Sequence, residues 1–565
     1  MQRKKRILMV GEASYTLSGF GTYNREVIGR LHKTGKYEIA ELSSFGVIQN
    51  PLTRTIPWKF YANALHNGDP RQKIYDSHPS FAFGKWRFEK TLLHFKPDIV
   101  WDIRDYWMLA YEADSPFRRF YHWVIMPTVD SAPQQEEWIE TFLRADGVLT
   151  YTDWAQDVLK KEGGGKIKLC GTAIPGVTLD IFKPIKDNSK VKQKMGLPPD
   201  INLIGTVMRN QKRKLFPDLF RAFSLFLDLC KKNGRPELAK KTFLYCHTSF
   251  PDFGWNIPLL LKEHNIAHKV IFTYKCRNCQ RCFAAIFQDA KTKCPHCHET
   301  SAVTPSVASG LSYEEMAGMM QMFDIYVQYA SCEGTGLPQA EAAACGVPIM
   351  SINYSGMEDL IKKTKGTPLE PKGMFLDLDI GAYRAYPNNE DTANQFYKFL
   401  TLPEGIKQRK CQQARKGAEK YFNWDDIAEK WENYFDNVEL TDQQGNWDSE
   451  PKLLNPHHRL PTEQEMGNVQ FVEWLISTVL QQPERRHSFW AMRLLRELNF
   501  GTEIQGRQPA PVNRQIIYDR IMRKVTEHNQ CEQIRCGMLP FVTEDYLEYA
   551  DHLQNSQQNS PGKQV

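Results

Sequence analysis

No stretch of the 565-residue chain approaches the ~18 consecutive apolar residues that a membrane-crossing helix needs. Met1-Gln-Arg-Lys-Lys-Arg6 has the basic start of a secretory leader, but only Ile7-Leu-Met-Val10 follow before Gly11. A leader's apolar core runs to about 7–15 residues, so this start reads as a solvated tip ahead of a first strand, and a cytoplasmic location is expected. Neither sign of charge dominates. The 72 Lys and Arg against 66 Asp and Glu leave +6, which suits phosphate-bearing ligands and lies far from the charge of a protein that coats DNA. The chain has no repeat of fixed period. Its thirteen cysteines do not form a disulfide framework: five fall in one short stretch (Cys276, Cys279, Cys282, Cys294, Cys297) and the rest are scattered. That pattern suits a metal site in a reducing compartment.

What is present is an alternation. Apolar runs at 7–10, 98–103, 122–129, 147–151 and 167–174 read as strands, and stretches such as 22–33 and 79–95 as helices. After a polar linker at 184–200 the rhythm restarts. Strands are expected at 201–207, 242–246, 269–274, 323–329 and 347–352, with helices at 216–231, 313–322 and 338–345. Such alternation implies parallel sheets covered on both faces, here an α/β chain of two Rossmann-like domains facing a cleft. Two additions interrupt the plan: a cysteine-bearing insertion at 274–309, and an extension beyond 437 with helical stretches at 469–480, 488–498 and 515–526.

The strongest chemical signal is Glu333-Gly-Thr-Gly-Leu-Pro-Gln-Ala-Glu341, between the strand at 323–329 and the helix at 338–345. Glycines let backbone N–H groups approach a ligand, and a helix N-terminus favours an anion. Pro338 fits the first helical turn, where its missing donor matters little. A carboxylate at each end of this anion cradle suits the vicinal hydroxyls of a ribose and a hexose. The bland alternative is an ordinary strand–turn–helix junction.

This segment, continued by Ala344-Cys-Gly-Val-Pro-Ile349, resembles the donor signature of retaining GT-B glycosyltransferases of the family 4 type (glycosyl transferases group 1). The resemblance spans about residues 5–436. It implies that Glu333 touches the transferred sugar, that Glu341 holds the ribose, and that Gly334, Thr335, Gly336 and Leu337 bind sugar hydroxyls and phosphate through their amides. Val207-Met-Arg209-Asn-Gln-Lys-Arg-Lys214 is similar to the family's diphosphate grip and picks out Arg209 and Lys214; a solvated basic loop is the alternative. Gly19-Phe-Gly21-Thr22 looks like the glycine-rich loop under the donor phosphates. Where many members carry a histidine beside the reacting sugar, this chain has Asp130. That carboxylate could meet a sugar or acceptor hydroxyl, or simply cap a helix beginning near Ala132. Asp102 and Asp105 end the preceding strand, and each is read as an acceptor contact or a cap. The pair Asp377-Leu-Asp379 is set aside as a metal motif, because the family uses fixed cations and no catalytic metal.

The expected organisation is therefore an acceptor domain at 1–185, a donor domain at 200–415, a helix at 416–436 crossing back, a helical extension at 437–554 and a disordered tail at 555–565. Within the insertion, Cys276-Arg-Asn-Cys279 and Cys294-Pro-His-Cys297 form paired C-x2-C knuckles, the pattern of a closed, structural zinc ribbon. Tyr274 and Phe283 would supply its small apolar support. Lys275, Arg277, Arg281, Lys291 and Lys293 make the ribbon basic, so it reads either as a folding staple or as a rim for a polyanionic acceptor such as nucleic acid. The expected activity is transfer of a sugar from a UDP- or GDP-linked donor to an acceptor hydroxyl. A nucleotide-sugar-binding scaffold without turnover is the alternative, and a homo-oligomer is compatible with either.

Overall fold

In a computed structural model of the protein, residues 3–306, 310–440, 447–501, 510–541 and 548–550 are described. The first unit is built on seven parallel strands: β1 (Arg6–Glu12), β2 (Glu38–Ser44), β3 (Lys59–Ala62), β4 (Ile99–Asp102), β5 (His122–Ile125), β6 (Gly147–Thr150) and β7 (Leu169–Thr172). Their order is β3-β2-β1-β4-β5-β6-β7. β1 is apolar along nearly its whole length because both faces of a parallel sheet are covered, and Ile7 through Val10 have no exposed surface.

The second unit repeats the plan with β8 (Asn202–Val207), β9 (Thr242–His247), β10 (Val270–Cys276), then, after the inserted strands β11 (Cys282–Ile286), β12 (Lys291–Thr292) and β13 (Ala302–Val303), β14 (Ile325–Gln328), β15 (Ile349–Ile352) and β16 (Thr367–Leu369). Its parallel core runs β10-β9-β8-β14-β15-β16. In each sheet the order reverses beside the first strand, at β1/β4 and at β8/β14. Open α/β sheets bind ligands at such switch points, beyond the carboxyl ends of the strands. The helix Phe216–Lys232 shows why these elements form. Its Phe216, Leu219, Phe220, Phe223 and Phe226 fall on one face at helical spacing and are all buried against the second sheet.

Several elements differ from the sequence reading. The glycine pair is not a loop: Gly19 and Gly21 lie in the first turn of the helix Gly19–Thr34, and the Ser18 hydroxyl caps it by accepting the Gly21 N–H at 3.0 Å. A Cβ on Gly21 would lie 2.8 Å from the Ala13 carbonyl, so glycine is needed there for close packing under the Ala13–Leu17 turn. The helix expected over 79–95 breaks at Gly84 (φ 116°), and a regular helix spans only Phe88–Phe95. The polar linker contains the helix Ser189–Lys194, whose buried Lys192 donates to the Ile201 carbonyl at 2.8 Å. Strands β2 and β3 escape an apolar-run reading. β2 carries the buried Glu41, which is satisfied by Ser14 N–H, the Ser43 hydroxyl and the Trp58 indole at 2.6–2.8 Å.

The single helix expected at 416–436 is broken: Glu404–Tyr421 ends at Phe422, and a new helix, Trp424–Asn437, capped by Asn423, returns to the first unit. Trp431 packs against Trp101 with ring centroids 4.6 Å apart and donates to the Tyr23 hydroxyl at 2.7 Å. The extension has its own core, formed by the helices Asn468–Trp474, Phe489–Phe500 and Arg514–Arg535. Trp474 stacks on Phe471 and Tyr518 within that core. The extension also contributes a strand, β19 (Glu548–Ala550), antiparallel to β3. The tail expected to be disordered, 555–565, lies outside the described residues. No described helix is long and apolar enough to cross a membrane.

Trp447 fastens the extension to the first unit. It is buried, stacks on Phe120 at 5.0 Å and donates to the Pro97 carbonyl at 3.1 Å. Trp447→Ala is expected to lower unfolding free energy by about 3–5 kcal/mol, read as a fall in the urea midpoint of the first transition. An unchanged midpoint would show that the extension docks without it.

Candidate functional site

The site forms where the second sheet's switch point faces the first unit. Chain leaving β8 forms a turn that carries Arg209, Arg213 and Lys214, and the isolated bridge between Lys214 and Ala330 ties it to the chain leaving β14. Lys214 and Glu333 therefore meet from adjacent strands. Their side chains form a buried ion pair, with Arg213 3.6 Å from the second carboxylate oxygen and Gln328 donating to the first at 2.7 Å. The Ser355 hydroxyl accepts the Glu333 N–H at 3.0 Å and donates to its carbonyl at 3.1 Å. Burial, with Arg213 adding to it, pushes the Lys214 ammonium well below its ordinary range. Two cations face the Glu333 carboxylate here, with Asp130 within electrostatic reach of Lys214 and Asp105 within reach of Arg213.

Arg209 is not brought to this cluster. Its guanidinium is half exposed and pairs with Asp252 at 2.9 and 3.1 Å. Arg213, which the resemblance did not pick out, lies 3.6 Å from Glu333 instead. The difference lies in how the 209–214 turn folds, which residue type and spacing do not encode.

Beyond Glu333 the chain passes through Gly334, Thr335 and Gly336 into the helix Leu337–Ala344. Gly336 (φ 83°) precedes it, and no side chain caps its N-terminus. Pro338 has no N–H and that of Gln339 donates to the Gly336 carbonyl at 2.9 Å, so the Leu337 N–H is the first-turn donor left for an anion. Gly334 backs onto the first unit: a Cβ there would lie 2.7 Å from the Thr128 methyl. Glu341, one helical turn on, has no hydrogen-bond or ion-pair partner among the described residues, and burial raises its pKa to about 7.

The first unit contributes carboxylates. Asp130 accepts from the Ser131 hydroxyl at 2.9 Å and from the Cys332 thiol across the cleft at 3.3 Å. It does not cap a helix at Ala132, because the next helix starts at Glu136. Asp105 lies close by, and burial, with the Asp130 charge adding to it, raises its pKa to about 6. Asp102 does not face the cleft. It is fully buried and holds Arg104, at 3.0 Å to both oxygens from Nε. Asp377 likewise pairs with Arg384 at 2.7 Å within a hairpin.

The two units are in contact along the cleft. Arg25 of the first helix hydrogen-bonds the Tyr313 hydroxyl of the second unit, and Tyr383 N–H donates to the Ala132 carbonyl at 2.8 Å. Sequence motifs gave no sign of Ser355, Gln328, Tyr313 or Thr128, since each acts through a tertiary neighbour.

In the insertion, the thiols of Cys276, Cys279, Cys294 and Cys297 lie within 4.8 Å of one another, a set that could hold a metal ion. Cys276 is 3.5 Å from Cys297 and Cys279 is 3.7 Å from Cys294. Cys282 is outside the set and donates to Glu315 at 3.3 Å. Tyr274 and Phe283 stack beneath with centroids 5.6 Å apart. Lys275 is not free for a ligand: it pairs with Glu315 at 3.0 Å and donates to the Gly310 carbonyl.

The fold has known counterparts. Sucrose-phosphate synthase from Thermosynechococcus elongatus superposes with a TM-score of 0.55 at 16% identity, over 77% of this chain and 98% of that one. The Anabaena protein HepE, solved with UDP and glucose, gives 0.53 at 13%, over 77% and 100%. A glycosyltransferase from Rickettsia africae gives 0.53 at 14%, over the same shares. The fold is GT-B. Residues 306–414 match the family described as Glycosyl transferases group 1, and this domain holds Glu333, Glu341 and the helix N-terminus between them. No curated protein sequence matches the GT-B chain significantly.

The unpartnered Glu341 has a consequence for stability. In an unfolded chain a glutamate titrates near 4.3, so the folded state holds an extra proton between that value and about 7. Stability contributed by the neutral form is complete below about 4 and is lost as pH rises through 7. Glu341→Gln is thus expected to raise the melting temperature by several degrees at pH 8 and hardly at all at pH 4. Equal shifts at both pH values would overturn this account of the carboxyl.

Proposed function

We propose that the protein is a retaining glycosyltransferase that moves a hexose from a UDP- or GDP-sugar to an acceptor hydroxyl. The observation that carries this reading is the convergence at one switch point of a cation pair, the Glu333 carboxylate, an uncapped helix N-terminus and the unsatisfied Glu341. A nucleotide sugar supplies what each lacks. Its diphosphate offers oxygens to Arg213, Lys214 and the helix N-terminus, and Arg209 joins them by releasing Asp252. Ribose hydroxyls give Glu341 its hydrogen bonds. Charge builds on the diphosphate as the glycosidic bond breaks, so these cations stabilise the transition state more than the bound donor.

With the donor in place, Glu333 contacts the sugar, and Asp130 stands opposite to accept a hydrogen bond from a sugar or acceptor hydroxyl. Retention, with the acceptor attacking on the face the diphosphate leaves, follows from the family resemblance. A UDP donor is supported by HepE, which was solved with UDP-glucose. The acceptor domain is assigned to 1–185 and the donor domain to 200–415.

The cysteine set suits zinc. Tetrahedral zinc with bonds of about 2.3 Å places its sulfurs about 3.8 Å apart, close to the 3.5 and 3.7 Å found here. Four thiolates leave no open position, so the ion would hold the knuckles together and take no part in transfer. Purified protein is expected to contain one zinc per chain by elemental analysis. Cys294→Ser should lose it and melt at lower temperature, whereas Cys282→Ser should keep it. Equal zinc in both variants would overturn the assignment.

The catalytic reading is tested with a panel of nucleotide sugars and carbohydrate, lipid and hydroxymethylated-DNA acceptors, following release of nucleoside diphosphate. One donor should turn over, with Glu333→Ala lowering kcat by about 100-fold or more and Glu341→Ala acting mainly on donor KM. If a donor bound measurably but no acceptor drew turnover from wild type, a binding scaffold would be the better description.

A further inference from the structure

The second unit carries a two-stranded hairpin, β17 (Gly373–Asp377) and β18 (Ala382–Tyr386), that stands apart from both sheets. The outer edge of β18 is occupied: Tyr383 and Ala385 N–H groups donate to the carbonyls of Ala132 and Ser331. Successive residues of a strand point their backbone groups to opposite edges. Residues 382, 384 and 386 therefore carry the hairpin ladder, and the register pairs them with 377, 375 and 373. That leaves the N–H and C=O groups of Met374 and Leu376 on the far edge of β17, where no strand lies among the described residues.

This open edge is apolar. Phe375 is 41% exposed, Leu376 45% and Leu378, just beyond, 84%. Proteins usually protect such an edge with charge or a bulge, but the strand's only charged side chain, Asp377, is already held by Arg384.

We infer that β17 pairs antiparallel with β17 of a second copy, about a twofold axis through Phe375. The strand is close to self-complementary about that residue. Met374 falls opposite Leu376, Gly373 opposite Asp377, and Phe375 opposite itself, so no like charges face each other within the strand. The backbone agrees with this register: Met374 and Leu376 form the hydrogen-bonded pairs, and Phe375 sits in the closer, non-hydrogen-bonded position. A contact that uses the same patch on both partners closes as a dimer. It joins two hairpins into a four-stranded sheet whose inner strands are the two copies of β17. One strand pair buries less than the ~1,600 Å² of a standard interface, so association is weak and depends on concentration.

The test is sedimentation velocity on the full chain from about 1 to 100 μM, a range that spans weak dimers. Wild type should shift from monomer toward dimer. Leu376→Pro removes an N–H that the hairpin ladder does not use, and should remain monomeric with unchanged circular dichroism. Phe375→Cys should cross-link to itself on mild oxidation at least ten times faster than Phe253→Cys, a fully exposed control on a different loop. Wild type that stays monomeric at the highest concentration, a dimer indifferent to Leu376→Pro, or equal cross-linking of the two cysteine variants would each overturn the proposal. None of these readouts depends on catalysis.

Discussion

The buried pairing of Lys214 with Glu333, flanked by the partly exposed Arg213, sets the terms for everything around it. Charges taken out of water are tolerable only when aligned and hydrogen-bonded on their remaining sides. The β8–β14 adjacency brings the charges together, Gln328 satisfies one carboxylate oxygen, and Ser355 fixes the Glu333 backbone through both its N–H and its carbonyl. The chain beyond must then leave through small residues, because Thr128 of the other unit stands against Gly334. The cleft wall is thus shaped by the needs of one ion cluster, and the uncapped helix and Glu341 fall into line behind it.

How much of this could be read from residues alone divides along a physical line. The Glu333–Glu341 segment was legible because its signals are local: a glycine with positive φ, a proline in the first turn and carboxylates at fixed spacing. The two-unit plan was legible from alternating apolar runs. What depends on tertiary neighbours was not. Asp102 looked like a cleft residue until Arg104, two positions on, proved to fold back and bury it. Strand β2 was hidden because its buried Glu41 is hydrogen-bonded by Ser14 and Trp58 from two other segments as well as by Ser43 of its own strand. Arg209 and Arg213 exchange places for a similar reason, since Asp252, which holds Arg209, lies 43 residues away.

The insertion is coupled to the cleft more closely than a surface ornament would be. Lys275, between the stacked Tyr274 and the thiol of Cys276, reaches Glu315, whose carboxylate also accepts the Ser312 N–H at the start of the helix Tyr313–Met320. That helix presents Tyr313 to Arg25, and Arg25 also bonds the carbonyl of Ser14 at 3.2 Å, in the turn after β1. The cysteine knuckles and the first unit's turn are therefore linked through a short run of direct contacts.

The return of the chain to its own beginning bears on how the protein is made. The helix Trp424–Asn437 completes the packing around Trp101 and Tyr23, and β19 covers the edge of β3. A nascent first unit has neither partner when its last strand, β7, leaves the ribosome. Translation at about 5–20 residues per second separates that moment from the arrival of β19 by tens of seconds. During that interval the edge of β3 and the face that will receive Trp431 are uncovered, a window in which a chaperone has something to hold.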